Sequence, residues 1–264
     1  MTRIVYFFCF SLIFSIRITA QSSQREKTII KVLTFNILHG ATTNGSFDLD
    51  VIAKVIKDAD PDFVALQEVD NRTNRAHKYD LVSELGLRTK MSSLFGRAMY
   101  YDGGEYGEGL LSKYSFISTR NMPLPFTPGN EPRAALEGVV ELPSGDTIII
   151  IGTHLDHLED EKDRIAQAQQ INTNWEKTKY PTILAGDLNA LPQSKAIKIL
   201  ETLWTSFYDK YDPQPTYPSA GPTKKIDYVM HRPENAWRVL STEVICDAIA
   251  SDHCAYMVEL ELRK

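Results

Sequence analysis

The feature that most constrains this sequence is the way its hydrophobic segments end. Short β-prone runs repeatedly finish in an acid, an amide or an imidazole. The four isoleucines at 148–151 lead into Thr153 and His154, and the apolar run 181–185 leads into Asp187 and Asn189. Similar positions are held by Asn36, Glu68, Asp227, Asp252 and His253. Because unpaired polar groups near a core are costly, the pattern favours a fold in which these strand ends meet.

Helical patterns lie between the strands. In residues 48–58, Leu49, Ile52, Val55 and Ile56 share one helical face, and residues 160–175 carry a second apolar stripe. Hydrophobic residues make up 43% of the 264, enough for a sizeable core, and we find neither an internal repeat nor a long linker. We expect one α/β domain over residues 28–264, with many antiparallel strands and with helices packed outside.

The N-terminus has the pattern of an export signal. Arg3 precedes an apolar run over residues 4–16, and Ala20 is a small residue before a polar stretch. We therefore expect residues 1–20 to be a signal peptide and the mature protein to be periplasmic or extracellular. The alternative is an uncleaved membrane anchor, although the run is short for a membrane span.

Export would place the remaining cysteines, Cys246 and Cys254, in an oxidising compartment. They flank a short loop, so the sequence allows either a disulfide or two reduced, buried thiols. The formal net charge of −5 argues against a protein whose main task is to coat nucleic acid.

The strand-end residues indicate the chemistry of the site. A shared cation and a shared anionic substrate would satisfy them together, and carboxylate and amide oxygens suit Mg²⁺ or Mn²⁺. Zinc would be expected with more His or Cys ligands. The sequence has no Gly-rich nucleotide loop and no Ser-nucleophile elbow. This combination favours metal-assisted hydrolysis of a phosphate ester.

The ordered motifs then resemble the endonuclease/exonuclease/phosphatase superfamily, also called deoxyribonuclease I-like. The resemblance spans nearly the whole chain after the leader. Its motifs are Thr34-Phe35-Asn36-Ile37, Gln67-Glu68-Val69, residues 107–112, residues 153–157, Gly186-Asp187-Leu188-Asn189, residues 226–229 and Ser251-Asp252-His253. The resemblance implies a four-layer α/β/β/α sandwich with two mostly antiparallel sheets.

It also implies a role for each matching residue. Glu68 and Asn36 would hold Mg²⁺ or Mn²⁺, with Asp252 as a further metal-site residue. Asp187 would activate the attacking water. The remaining catalytic residues would contact or orient the phosphate side: His154, Asn189, His253 and, behind His253, Asp227.

Two substrate-binding residues are less directly implied. A guanidinium matches a phosphate bidentately, so Arg133 is either a phosphate clamp or a surface arginine. Asp156 extends the motif that begins at Thr153 and would line the pocket.

We predict a metal-dependent phosphoesterase acting on a phosphodiester. The alternatives are a phosphomonoesterase for a sugar or inositol phosphate, and a catalytically silent binding module of the same fold. The partner is then a phosphoester, namely a nucleic acid, a phospholipid or a sugar or inositol phosphate. We expect a monomer with no obligate protein partner.

Overall fold

The computed structural model describes residues 1–2, 27–209 and 211–263, and within them two six-stranded sheets. In spatial order the first sheet contains β11 (Trp237–Ile245), β12 (Ala255–Leu262), β1 (Thr28–Asn36), β2 (Phe63–Asn71), β4 (Gly104–Ser112) and β3 (Ser92–Tyr101). The second contains β5 (Phe116–Pro123), β6 (Ala134–Glu141), β7 (Thr147–His154), β8 (Thr182–Asp187), β10 (Asp227–Arg232) and β9 (Thr205–Ser206). The helices are α1 (Leu49–Ala59), α2 (Leu81–Thr89), α3 (Lys162–Trp175) and α4 (Lys195–Leu200).

Three hydrophobic clusters join these elements into four layers. The first cluster packs α1 and α2 on the outer face of the first sheet. The second fills the space between the sheets, and the third packs α3 and α4 on the outer face of the second sheet. The predicted α/β/β/α sandwich is therefore confirmed.

The alternation of side chains along the strands decides which residues face the space between the sheets. In β7, Ile148 and Ile150 belong to the central cluster, whereas Ile149 and Ile151 pack against the helices. His154 has the same parity as Ile148 and therefore lies on the inner face. By the same count Asn36, Asp187 and Asp227 lie on inner faces at their strand ends.

Parallel pairing brings these ends to one edge. β1 runs parallel to β2 and β7 runs parallel to β8, whereas the other pairs are antiparallel. The register sets Asn36 beside Gln67 and His154 beside Asp187. Because the carboxyl ends of parallel strands lie at the same edge, one end of the sandwich collects the polar groups.

Each helix on the first sheet begins directly after a capping aspartate. Asp48 caps α1 by accepting hydrogen bonds from the backbone N–H groups of Asp50 and Val51, and Asp80 caps α2 by accepting one from Ser83. These bonds satisfy backbone donors that have no partner inside the helix. The helices then bury their apolar faces, including Leu81 and Leu85 of α2.

Three strands differ from the sequence expectation, and one of them is β9, which has only two residues and was not predicted. β3 was not predicted, because its partly exposed, mixed sequence has no clear alternation. β2 does not end at Glu68 but continues to Asn71 through a bulge. Residues 3–20 of the expected signal peptide lie outside the described residues. Among the residues that are described, no helix has the length and apolar character needed to cross a membrane.

Candidate active site

Glu68 is aimed into the site by the bulge in β2. The register between β2 and β4 shifts between Leu66 and Val69, because three residues of β2 span the same length as two residues of β4 there. Glu68 has a left-handed backbone, with φ of 57°, and its side chain is about a quarter exposed. Such a conformation costs a non-glycine residue free energy, and together with the bulge it turns the Glu68 side chain toward the site.

The amide of Asn36 joins Glu68 to Asp187 across the gap between the sheets. Its Nδ2 atom donates to Glu68 Oε1 at 3.1 Å and to Asp187 Oδ2 at 3.2 Å. Its Oδ1 atom accepts a hydrogen bond from the backbone of Leu38 at 3.1 Å. On the other side of Glu68, Oε2 lies 3.4 Å from His39 Nδ1.

Asp187 and Asn189 form a tight turn directly after β8. The backbone N–H of Asn189 donates to Asp187 Oδ1 at 2.9 Å, and Asn189 has a left-handed φ of 47°. The turn aims the Asn189 amide at His154, with 2.9 Å between Asn189 Nδ2 and His154 Nε2.

His253 forms a buried pair with Asp227. Its Nδ1 atom lies 3.1 Å from Asp227 Oδ2, and its Nε2 atom lies 3.6 Å from Asp187 Oδ2. Asp227 is fully buried, so it reaches the site only through the His253 ring. A carboxylate in this position fixes the orientation and the proton of an imidazole.

The loop that carries His253 is closed by a disulfide. Cys246 and Cys254 are bonded, with an S–S distance of 2.06 Å, which settles the alternative that the sequence left open. The hydroxyl of Ser251 donates to the backbone carbonyl of Asn36 at 2.6 Å, so the loop is also tied to the end of β1.

His154 is surrounded by nitrogen donors. Its Nε2 atom faces Asp187 Oδ2 at 3.4 Å and the Asn189 amide, and its Nδ1 atom lies 3.2 Å from Arg133 Nη1. A guanidinium can only donate. A neutral ring protonated on Nε2 can donate to Asp187 Oδ2 and accept from Arg133 at Nδ1, which leaves the Asn189 amide nitrogen as an unmatched donor beside Nε2.

Arg133 is buried rather than on the surface, with 2% exposure. Its Nη2 atom contacts Glu131 Oε2 at 2.9 Å and His157 Nδ1 at 3.2 Å. Its Nε atom is buried without a hydrogen-bond partner in the described part of the chain. The guanidinium lines the cleft that also contains Glu68, His154 and Asp187. An oxyanion bound there would give Arg133 an acceptor and relieve the crowding of donors around His154.

The environments hold these groups in different protonation states. Burial would raise the pKa of Glu68, but hydrogen bonds from His39 and Asn36 help to lower it to about 2. Burial raises the pKa of Asp187 to about 7, against the opposing charge of His253. Burial would lower the pKa of His253, but the charges of Asp227 and Asp187 raise it to about 10. Burial and the positive charge of Arg133 hold the pKa of His154 well below its usual value.

Two other sequence-predicted residues lie in different places. Asp252 is partly exposed and lines the cleft beside His253, and burial raises the pKa of its carboxyl. Asp156, expected to bind substrate, is fully buried and is not part of the cleft wall. Its Oδ2 atom accepts a hydrogen bond from the backbone of Leu158 at 3.1 Å, so it fixes the turn after β7.

The sequence analysis did not identify several residues that line the cleft of about 930 Å³. They are His39, Arg75, Met99, Glu131, Glu159, Glu161 and Arg164, together with the aromatic residue Tyr217. His39 had a local signal, because it lies three residues after Asn36. Arg75 had none, because it reaches the cleft from a loop whose position depends on the tertiary fold.

The donor set fits a divalent metal with a preference for oxygen. Glu68 and Asp187 offer carboxylate oxygens joined by the Asn36 amide, whose oxygen would have to turn away from Leu38 to face a bound cation. Asp187, Asp227 and His253 also bring one ligand atom each within 4.8 Å of one another. In that second group the contact between Asp227 and His253 Nδ1 occupies both residues. The first group is therefore the more available for a cation.

The sequence model of the Endonuclease/Exonuclease/phosphatase family matches residues 33–253, which include every strand end described above. The chain belongs to this family. Members of the endonuclease/exonuclease/phosphatase family are phosphoester hydrolases that generally depend on a divalent metal. No curated protein matches the chain.

Solved structures show the same fold. An endonuclease/exonuclease/phosphatase from Beutenbergia cavernae is 24% identical, with a TM-score of 0.71, over 89% of this chain and 72% of that one. The mannosyl-6-phosphatase Bt3783 of Bacteroides thetaiotaomicron is 19% identical, with a TM-score of 0.69, over 88% and 99%. The human Nocturnin catalytic domain, with bound sulfate, is 19% identical, with a TM-score of 0.71, over 90% and 98%.

Proposed function

We propose that this family member is an exported phosphoesterase that uses Mg²⁺ or Mn²⁺ to hydrolyse a phosphodiester. The observation that supports it best is the convergence on Asp187, whose carboxylate contacts Asn36, His154 and His253. A buried carboxyl with a pKa near neutrality is suited to accept a proton from water. The charged groups around it are suited to bind and stabilise a phosphate.

The proposal divides the work between the two sheets. Glu68, ionised because its pKa is low, and Asn36 would hold the metal at the end of the first sheet. When bound, the metal would offset negative charge on the phosphate oxygens. Asp252 would contribute at the edge of that site.

On the second sheet, Asp187 orients the attacking water and takes its proton. Asn189 and Arg133 donate hydrogen bonds to the phosphate oxygens, and neutral His154 accepts from Arg133 and keeps its guanidinium in place. His253, held as a cation by Asp227, stabilises the negative charge that develops on the phosphate or protonates the leaving oxygen.

Phosphomonoester hydrolysis is the second candidate. The cleft wall contains Glu131, which lies against Arg133, and also Glu159 and Glu161, and these carboxylates would repel the further phosphates of a polynucleotide. A single terminal phosphate on a sugar or inositol avoids this repulsion. The likeness to a mannosyl-6-phosphatase supports the same candidate, although that name describes the neighbour.

The proposal is tested by hydrolysis of bis-p-nitrophenyl phosphate and p-nitrophenyl phosphate with Mg²⁺ or Mn²⁺. We expect EDTA to stop the reaction, and Asp187→Asn to reduce kcat by about a thousandfold or more. Asp58→Asn is the control, because Asp58 lies on the exposed surface of α1. Activity that survives EDTA or the Asp187 substitution would contradict the proposal. The protein could also fold and bind metal but hydrolyse neither these esters nor nucleic acids, sphingomyelin or inositol phosphates. That result would favour the silent binding module.

Export is tested separately, by mass spectrometry of the N-terminus of the protein expressed in its source cells. We expect the mature chain to begin shortly after Ala20. An intact leader on membrane-bound protein would support the anchor instead.

A further inference from the structure

One arm of the cleft is not used by the reaction described above. In the first sheet, β4 and β3 follow β2, so the residues at their ends lie beyond Glu68 on the side away from His253. Arg75, Met99, Tyr101 and Tyr106 line the cleft there. We call this set of four residues the Arg75 arm.

Arg75 is held in a fixed position. Its Nε and Nη2 atoms donate to the two carboxylate oxygens of Asp70 at 2.6 and 2.9 Å. Asp70 is fully buried and also accepts a hydrogen bond from Thr73 Oγ1 at 2.7 Å. The backbone N–H of Arg75 donates to Asp102 Oδ2 at 2.8 Å. A guanidinium fixed in this way is already ordered before a ligand arrives.

Two tyrosine rings lie against this guanidinium. Arg75 Cζ is 4.6 Å from the centre of the Tyr101 ring and 5.6 Å from that of Tyr106. Tyr101 is 41% exposed, so part of its ring is open to the cleft, whereas Tyr106 is buried. Tyr106 also interacts with Arg133, so the Arg75 arm adjoins the groups that would hold the reacting phosphate.

The charges of this region are unsuited to a second phosphate. Asp70 already neutralises Arg75, and the carboxylates of Glu68 and Glu131 lie close enough to Tyr106 to act on its hydroxyl. A hydroxyl group, in contrast, donates to a carboxylate and accepts from a guanidinium. The open face of Tyr101 would pack against the apolar C–H face of a ring.

We propose that the Arg75 arm binds the neutral, hydroxyl-rich part of the substrate, such as a sugar or inositol ring esterified to the reacting phosphate. This inference rests on the proposed phosphoesterase function and names its substrate class. Arg75 donates to ring hydroxyls, the nearby carboxylates accept from them, and Tyr101 covers one face of the ring. A lipid chain is disfavoured, because Met99 is the only side chain of the Arg75 arm without a polar group.

The chain offers a matched pair of variants. Tyr101→Ala removes the ring that faces the cleft. The neighbouring Tyr100→Ala removes a ring that also lies under an arginine, with Arg97 Cζ 4.2 Å from its centre, but that does not line the cleft. Both rings are exposed, so neither truncation threatens the core.

The test compares hexose and inositol phosphates with ethyl phosphate, each as the monoester and as the methyl diester. Ethyl phosphate has an alkoxide leaving group but no ring hydroxyls. We expect Tyr101→Ala to reduce kcat/KM for the ring substrates by about fivefold, mainly through KM. Hydrolysis of ethyl phosphate should not change, and Tyr100→Ala should affect neither. Equal losses on both substrate types, or the same loss in Tyr100→Ala, would overturn the inference.

A binding measurement separates this inference from the proposed function. Saturation-transfer NMR with an inositol phosphate and Ca²⁺ should show transfer to the ring protons in the wild type and little in Tyr101→Ala. Such binding without hydrolysis of any ester would overturn the proposed function and support the Arg75 arm. No transfer in the wild type would overturn the arm, whatever esters are hydrolysed.

Discussion

Two buried histidines approach the same carboxylate from two regions of the molecule. His154, at the end of β7, and His253, before β12, have Nε2 atoms 3.4 and 3.6 Å from Asp187 Oδ2. Behind His154 lies Arg133, whereas behind His253 lies Asp227. Burial and Arg133 lower the pKa of His154, whereas the charges of Asp227 and Asp187 raise the pKa of His253 to about 10. The two rings are therefore similarly buried and similarly distant from Asp187, yet His154 is neutral and His253 is a cation.

The comparison shows that the second neighbour of an imidazole decides its chemistry. Burial alone would lower the pKa of both rings. A carboxylate behind the ring overcomes this cost, and a guanidinium adds to it. The site thus contains one charged imidazole suited to stabilise negative charge and one neutral imidazole suited to position the Arg133 guanidinium.

The most severe test removes the charge behind His253. Asp227→Asn keeps the size of the side chain but no longer holds the imidazole as a cation, so we expect kcat to fall by about a thousandfold with little change in KM. Steady-state kinetics and circular dichroism of the same sample are the measurements. A loss confined to KM would show that the Asp227–His253 pair serves binding and would break the comparison.

On the His154 side of Asp187, Arg133→Gln should act mainly on substrate binding. Loss of a charged donor to phosphate should raise KM by about tenfold to a hundredfold, with a smaller change in kcat. Arg120→Gln is the control, because Arg120 pairs with Glu137 outside the cleft. An unchanged KM would place Arg133 in a structural role.

The two histidines should also differ in how they link pH to stability in the metal-free protein. The pKa of His253 is raised from 6.5 to about 10, so its contribution is fully present below pH 6.5 and is lost as the pH rises through about 10. In EDTA, the melting temperature of the wild type should exceed that of His253→Gln by a few degrees at low pH, and the gap should close at high pH.

His154→Gln should show no such gain at low pH, because the pKa of His154 is lowered and its neutral form is the one that favours folding. A gap that stays constant for His253→Gln would mean that the ring carries no charge, and the comparison would fail.

The smallest effect on activity is expected from the disulfide, which is present only on the His253 side. Replacing Cys246 and Cys254 by Ser should cost about 2 kcal/mol of stability, since the closed loop is short. Activity should change by no more than about twofold, because Ser251 still ties the loop to β1. Thermal melts and kinetics under non-reducing conditions measure both. A large loss of kcat in a folded variant would show that the disulfide itself positions His253.

Much of this site was predictable because it depends on strand ends. Asn36, His154, Asp187 and Asp227 each follow or begin a hydrophobic run, and alternation along a strand fixes the face on which they lie. The fold follows from the same pattern, since helices with one apolar face must cover the outer sides of the sheets.

Other parts depend on tertiary packing and were not predictable. Burial of Arg133 and removal of Asp156 from the cleft wall are decided by neighbouring loops, and neither residue has a local signal. β3 has no regular alternation, and Arg75 reaches the cleft only because Asp70 and Tyr101 hold it. The bond between Cys246 and Cys254 depends on the pairing of β11 with β12, which brings the two Cα atoms to 4.3 Å.

The bulge in β2 has a consequence for anyone who wishes to redesign this enzyme. Val64 and Leu66 pack against the helices, and strict alternation would turn Val69 to the opposite face, yet Val69 packs with them. The additional residue resets the parity of the strand, and the same reset sets the position of Asp70 behind Arg75. Deleting one residue there would turn each following side chain of the strand to the opposite face of the sheet. Substrate preference is therefore best changed by replacing side chains around the bulge while the number of residues in β2 stays constant.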